Sequence, residues 1–283
     1  MLPAAAPPSA GLPVQPVQVA VAGATGATGR LVVRLLLERG ARVRALVRPG
    51  RAGALGAALG EAAARAGERL AIVEGASLPD LSAAELDARV AGCDAIVQCL
   101  GHNMSLSGVA LPPWRLVRDS CRALAEAAQR VPPPPQGKVR LVVMGTVGVM
   151  DPDGSELVLR SWGQRLILNG LLMAIPPHAD NWATATYLRS TLGSANDRLS
   201  WCLVRPDALT DAAEVTPYTH QTALFPGIFD GQKRTSRVNT AHFMARLAAD
   251  PEAFAPYAGK MPTVIDTDSL PVARPDAASA PPE

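Results

Sequence analysis

Residues 17–51, VQVAVAGATGATGRLVVRLLLERGARVRALVRPGR, constrain the fold more than any other part of the chain. Val17, Val19 and Val21 lie in a short β-rich run that stops at Gly23. A helical run over 28–39 follows, with Leu31, Leu35 and Leu36 on its apolar side and Gly40 where a helix C′ residue belongs. Between the two runs, Gly23, Gly26 and Gly29 put three glycines into seven residues. A strand that enters a helix through such a turn presents backbone N–H groups and the helix N-terminus to an anion. Small residues are needed because the turn is tight, the backbone must approach a pyrophosphate closely, and helix and strand must touch. The glycine spacing alone is a weak signal. The strand before it, the helix after it and a second strand, ARVRALV, turn it into a dinucleotide-binding unit rather than a bare turn.

Positive charge follows the second strand. A site for NAD(H) would place Asp or Glu there to accept hydrogen bonds from ribose hydroxyls. Here Arg48 stands, followed by Pro49, Gly50 and Arg51. A guanidinium grips a 2′-phosphate through paired hydrogen bonds and a carboxylate repels it, so NADP(H) is expected ahead of NAD(H). The plainer alternative is a solvated arginine in an arginine-rich chain.

The alternation of strand and helix continues. RLAIVEG, CDAIVQCLG, VRLVVMGTVG and LSWCLVRP, ending at Gly75, Gly101, Gly148 and Pro206, are apolar runs suited to strands buried on both faces. Helical stretches are expected over 52–67, 81–91, 113–130, 162–175 and 180–191, and VPPPPQGK over 131–138 reads as a stiff connector. This is the pattern of an α/β fold, a doubly wound parallel sheet, in which a ligand lies across the carboxyl ends of the strands. Weight therefore falls on 75–77, 101–105, 145–146 and 205–207.

Pro- and Ala-rich segments at 1–16 and 267–283 read as a disordered arm and tail flanking a single domain over 17–266. The arm lacks the basic start and unbroken apolar core of a signal peptide. No apolar run approaches the ~20 residues needed to span a bilayer. The formal charge of +2 is spread without a basic block, which argues against nucleic acid or an anionic membrane as partner. The four cysteines form no CxxC pair and have no histidine at zinc spacing, so reduced thiols in a cytoplasmic protein and no metal are expected. The oligomeric state is not set by any of these features.

GATGATGR after the first strand, VRP after the second, DAIVQCLG for the fourth, VVMGT for the fifth and LVRPDALTD near residue 210 together resemble an atypical short-chain dehydrogenase/reductase. The group is the one that includes NmrA-like and flavin or biliverdin reductase-like proteins, and the resemblance runs over about 17–266. It implies a Rossmann fold holding NADP(H) along Gly23, Thr25, Gly26, Ala27, Thr28 and Gly29, with Arg48 and Arg51 on the 2′-phosphate. Gly101 would border the nicotinamide half, and 207–262 would form a small substrate-side cap.

The departures bear on the chemistry. Active short-chain enzymes use a Tyr with a Lys four residues later for proton transfer. Tyr187, Tyr218 and Tyr257 are the only tyrosines, and none has Lys at that spacing. Many relatives carry an Asp after the third strand, where Ala76 and Ser77 stand here. Thr146 takes the place of the family serine; its hydroxyl would orient a carbonyl, or bond locally. In IPPHADNWATATYLR, Asp180 is expected to cap its helix, Asn181 to project toward the site, and His178 to donate a proton or simply face solvent. His102 borders the nicotinamide edge with the same two readings. His220 and His242 have no assigned role, Cys99 reads as a buried small hydrophobe, and Asn239 is expected to cap a helix carrying Phe243, Met244 and Leu247. The expected activity is that of an NADPH-dependent reductase of a small carbonyl or conjugated substrate, without a Tyr/Lys pair. The alternative is a catalytically inactive NADP(H)-binding sensor or assembly protein.

Overall fold

The computed structural model describes residues 16–102, 114–135, 137–194, 196–225 and 233–270. Nearly all of the expected arm and tail, and Ser105, lie outside those residues. Val19, Ala20 and Val21 are wholly shielded because β1 (Gln18–Ala22) is an inner strand with helices over both faces. The other strands are β2 (Arg42–Val47), β3 (Leu70–Glu74), β4 (Ala95–Gln98), β5 (Val139–Met144), β6 (Leu199–Pro206), β7 (Ala208–Thr210), β8 (Tyr218–Gln221), β9 (Arg234–Ser236) and β10 (Thr263–Asp266). Eight of them form one sheet in the order β3-β2-β1-β4-β5-β6-β10-β8, parallel except for β8. The chain winds outward from β1 to β3, returns to β4 beside β1, and winds the other way. That reversal creates a crevice at the carboxyl ends of β1 and β4.

Both faces are covered. The helices are α1 (Ala27–Glu38), α2 (Ala52–Leu59), α3 (Glu61–Ala66), α4 (Ala83–Val90), α5 (Leu116–Arg130), α6 (Trp162–Asn169), α7 (Pro176–Thr186), α8 (Arg237–Ala249) and α9 (Pro251–Phe254), with a π-turn over Tyr187–Leu192 continuing α7. Val32, Val33 and Leu36 of α1 meet Phe243, Met244 and Leu247 of α8 in one core layer. Leu86 of α4, Leu124 of α5 and Leu188 after α7 fill the other.

The structure differs from expectation in several places. The helix expected over 52–67 breaks into α2 and α3, because Gly60 takes a φ of 51° that ends one helix and starts the next. β3 is only partly buried, since it is an edge strand with a single neighbour. Asn239 does not cap α8: Ser236 does, accepting from the Asn239 N–H at 3.2 Å. The Asn239 side chain is buried instead, donating to Asp266 and Thr216 at 2.7 and 2.9 Å.

Of the segment over 207–262, β8 joins the main sheet and α8 packs on its face, while β7 and β9 form a separate two-stranded ribbon. Among the described residues no helix is long and apolar enough to cross a membrane, and no cluster of three or more His, Cys, Asp or Glu could hold a metal ion.

Candidate functional site

The crevice begins where β1 ends. Gly23 turns the chain at φ 78°, and a Cβ there would lie 2.9 Å from the carbonyl of Cys99, just past β4. A Cβ on Gly29 would sit 2.1 Å from the Gly23 carbonyl oxygen, so no side chain fits between helix and strand. The Gly26 N–H donates to the Gly23 carbonyl at 2.9 Å and closes the turn. α1 then starts at Ala27 with no side-chain cap and no acidic residue in its first turn. By contrast, α4 and α6 each carry a full capping box, Ser82 with Glu85 and Ser161 with Gln164. An uncapped helix start with exposed Thr25, Gly26 and Ala27 at its mouth leaves amide donors and the positive end of the helix open to an anion. Thr28 and Gly29 are buried behind them.

One strand away, Arg48, Pro49, Gly50 and Arg51 form a type II turn. The Arg51 N–H donates to the Arg48 carbonyl at 3.1 Å, and Gly50 supplies the positive φ, 72°, that such a turn requires at its third position. Both arginines are exposed, and neither side chain makes a hydrogen bond or ion pair among the described residues. Gly101 is exposed two residues beyond Cys99, on the rim of the same crevice. A cradle that Cβ atoms would fill, open amides and adjacent free cations fit a nicotinamide dinucleotide.

The three candidate catalytic residues are not equivalent. Thr146, two residues past β5, accepts from the Gly148 N–H at 3.3 Å, which is the local bond considered above. His178 lies in the first turn of α7 and faces the same glycine. A Cβ on Gly148 would be 3.6 Å from His178 Nδ1 and 3.7 Å from Thr146 Oγ1, so both side chains border the same glycine. Asn181 donates its amide to the Pro177 carbonyl at 2.7 Å within its own helix.

Asp180 does not cap α7, which starts four residues earlier at Pro176. Its fully shielded carboxylate caps α5 instead, accepting from the Val117 and Arg118 N–H groups at 2.8 and 3.0 Å. The same carboxylate lies 2.7 Å from His102 Nε2. A carboxylate only accepts, so Nε2 carries the hydrogen of this bond. This pair joins residues 78 apart in the chain. Its one local signal was that α5 starts without a capping side chain of its own.

Other candidates lie elsewhere. Arg205, one of the strand-end residues, is wholly buried and donates to Glu156 through both terminal nitrogens at 2.6 and 2.7 Å. Tyr187 is buried, which pushes its hydroxyl up to about 12. Tyr218 and Tyr257 bond to His242 and His220 at 2.7 and 2.6 Å. Cys99 is buried and its thiol is pushed up to about 12, as befits a packing residue.

Comparisons with known proteins agree with this geometry. A family model described as NAD(P)H-binding matches residues 23–251. No curated protein matches the chain. Among solved structures, a protein assigned by inference as an NADH-flavin reductase from Streptococcus pneumoniae aligns with a TM-score of 0.60 at 16% identity, covering 89% of this chain and 100% of that one. An anaerobilin reductase from Escherichia coli O157:H7 aligns at 0.56 with 15% identity over 90% and 100% of the two chains. A short-chain dehydrogenase/reductase from Veillonella parvula in complex with NADP aligns at 0.55 with 14% identity over 89% and 96%. At these identities the structural likenesses establish the fold.

Proposed function

Because the chain belongs to the NAD(P)H-binding family, we propose that it is an NADP(H)-dependent oxidoreductase of the atypical short-chain dehydrogenase/reductase type. Its substrate is a small carbonyl or conjugated molecule, reduced without a Tyr/Lys pair. The observation that carries this reading is the uncapped start of α1 behind Gly23, Gly26 and Gly29, with two exposed arginines one strand away. In it, the turn along Gly23, Thr25, Gly26, Ala27, Thr28 and Gly29, with the open amides at the start of α1, holds the pyrophosphate. Arg48 and Arg51 take the 2′-phosphate, which favours NADP(H) over NAD(H), and Gly101 borders the nicotinamide half. A cytoplasmic setting suits four unbridged cysteines.

The bound nicotinamide supplies hydride. Thr146 orients the substrate oxygen and His178, beside the same glycine, delivers a proton to it. His102, held by Asp180, is a second proton source on the rim of the crevice. Asn181 keeps its amide within α7 and shapes the helix rather than touching substrate. Because a flat, electron-poor acceptor needs little acid assistance, positioning carries most of the rate.

The second reading, a catalytically inactive NADP(H)-binding sensor or assembly protein of the NmrA-like kind, draws on the placement of the tyrosines. One is buried and two are bonded to histidines of the β8 and α8 region. The test is NADPH oxidation with a panel of quinones, flavins and aldehydes, read beside calorimetric binding. The reductase reading expects turnover that falls on the order of a hundredfold in His178→Ala. Tight NADPH binding with no turnover across the panel favours the sensor.

A further inference from the structure

Glu74 is the last residue of β3 and pairs with Val47, the residue before Arg48. Its carboxylate reaches across the β2–α2 turn and accepts from the Ala52 N–H at 3.0 Å. The amides of Gly50 and Arg51 lie beside the same carboxylate, and with the Ala52 bond first in weight they hold its carboxyl below the usual carboxylate range. The N–H groups of Gly50, Arg51 and Ala52, at and just after a positive-φ glycine, cluster into an anion nest in which Ala52 donates to the carboxylate while Arg51 also closes the turn onto Arg48. That nest is bounded by Arg48 and Arg51, where a 2′-phosphate would be expected to sit. The chain has therefore placed its own anion on the amides best suited to the ligand's phosphate.

We propose that Glu74 sets the balance between NADP(H) and NAD(H) by competing with the 2′-phosphate for the Ala52 amide and the space beside Gly50 and Arg51. This rests on the dinucleotide reading of the site. A 2′-phosphate carries close to two negative charges, so it cannot share the nest with an ionised carboxylate and must displace it. NAD(H) brings a neutral ribose hydroxyl in its place, which can donate to the same carboxylate. The two arginines pull the preference toward NADP(H) and Glu74 pulls it back, leaving a protein less discriminating than its arginines alone would make it. The signal lies on β3 rather than at the end of β2, where an acidic residue is ordinarily sought.

The experiment is calorimetric titration of the full chain and of Glu74→Gln with NADPH and with NADH, each variant's melting midpoint recorded alongside. Gln keeps an oxygen for the Ala52 N–H and so preserves the helix cap while removing the charge. The expected result is tighter NADPH binding by roughly tenfold, with NADH binding unchanged or weaker. Glu74→Ala, which removes cap and charge together, shifts the ratio in the same direction. If both cofactors bind the parent protein and Glu74→Gln moves them equally or not at all, the competition is wrong and Glu74 is only the cap of α2. If neither cofactor binds the parent protein, the dinucleotide reading fails, and the inference falls with it.

Discussion

At the scale of single residues, the crevice depends on atoms that are missing. Gly29 has no room for a methyl group, because the obstacle is the Gly23 carbonyl, a backbone atom that cannot rotate away. Gly29→Ala is expected to lower stability by about 1–3 kcal/mol through overpacking and to abolish cofactor binding, measured by thermal melting and calorimetry on the same sample. Arg48 acts through presence instead. Arg48→Ala should weaken NADPH binding by about tenfold and leave NADH binding nearly unchanged; equal losses would refute the 2′-phosphate assignment. Asp180 ties α7 to the start of α5 and to His102 through one carboxylate. Asp180→Ala leaves the start of α5 and His102 unpartnered and should cost about 1–3 kcal/mol, seen as a lower urea midpoint.

At the scale of elements, what could be read from the sequence was what local contacts decide. β1, the glycine turn and α1 follow from residues within a few positions of one another, as does β6, whose bounds match the apolar run ending at Pro206. The failures share a cause. Asp180 looked like the cap of its own helix because nothing near it in the chain shows that the start of α5, 63 positions away, needs it more. Asn239 looked like a cap for the same reason, while its true partners, Thr216 and Asp266, lie 23 and 27 positions away. Glu74 has no local signal as the partner of the β2–α2 turn, because the anion comes from β3, 22 positions from the Ala52 N–H it accepts from. That Thr146 and His178 both border Gly148 belongs to the same class, since it depends on how the loop after β5 lies against α7.

At the scale of the whole molecule, two polar clusters tie separate parts of the chain together. Glu156 accepts from Arg205 and also from the Asp151 and Leu224 N–H groups at 2.7 and 2.8 Å, which clamps the segment after β5 onto the end of β6. Glu156→Ala would strand a buried guanidinium and is expected to cost about 3–5 kcal/mol, measured by chemical denaturation. The second cluster joins α1, β8 and α8. Arg39 donates to His242 Nε2 at 2.8 Å, so the ring donates from Nδ1 to the Tyr218 oxygen at 2.7 Å and must be neutral. Burial, then Arg39 and Arg246, hold His242 below its usual value of 6.5, and burial with Arg246 does the same for His220. The folded protein thus binds fewer protons than the unfolded chain just below that value. This contribution is complete above the unfolded value and is lost as pH falls through the lowered folded one. The melting midpoint should decline as pH drops from about 7 to about 5, and less steeply in His242→Gln, which can still bond Arg39 and Tyr218. A midpoint independent of pH over that range would remove this account.

The four buried cysteines, Cys93 before β4, Cys99 after it, Cys121 in α5 and Cys202 in β6, also give the molecule a set of internal stopwatches. Burial pushes the Cys93 thiol up to about 11 and those of Cys99 and Cys121 up to about 12, and raises that of Cys202 as well, so a thiol reagent meets a protonated, inaccessible sulfur until its element opens. Labelling rates then read how often each part of the sheet comes apart. Cys99 abuts Gly23, so a ligand that settles the glycine turn should slow that one clock while Cys202 keeps its pace.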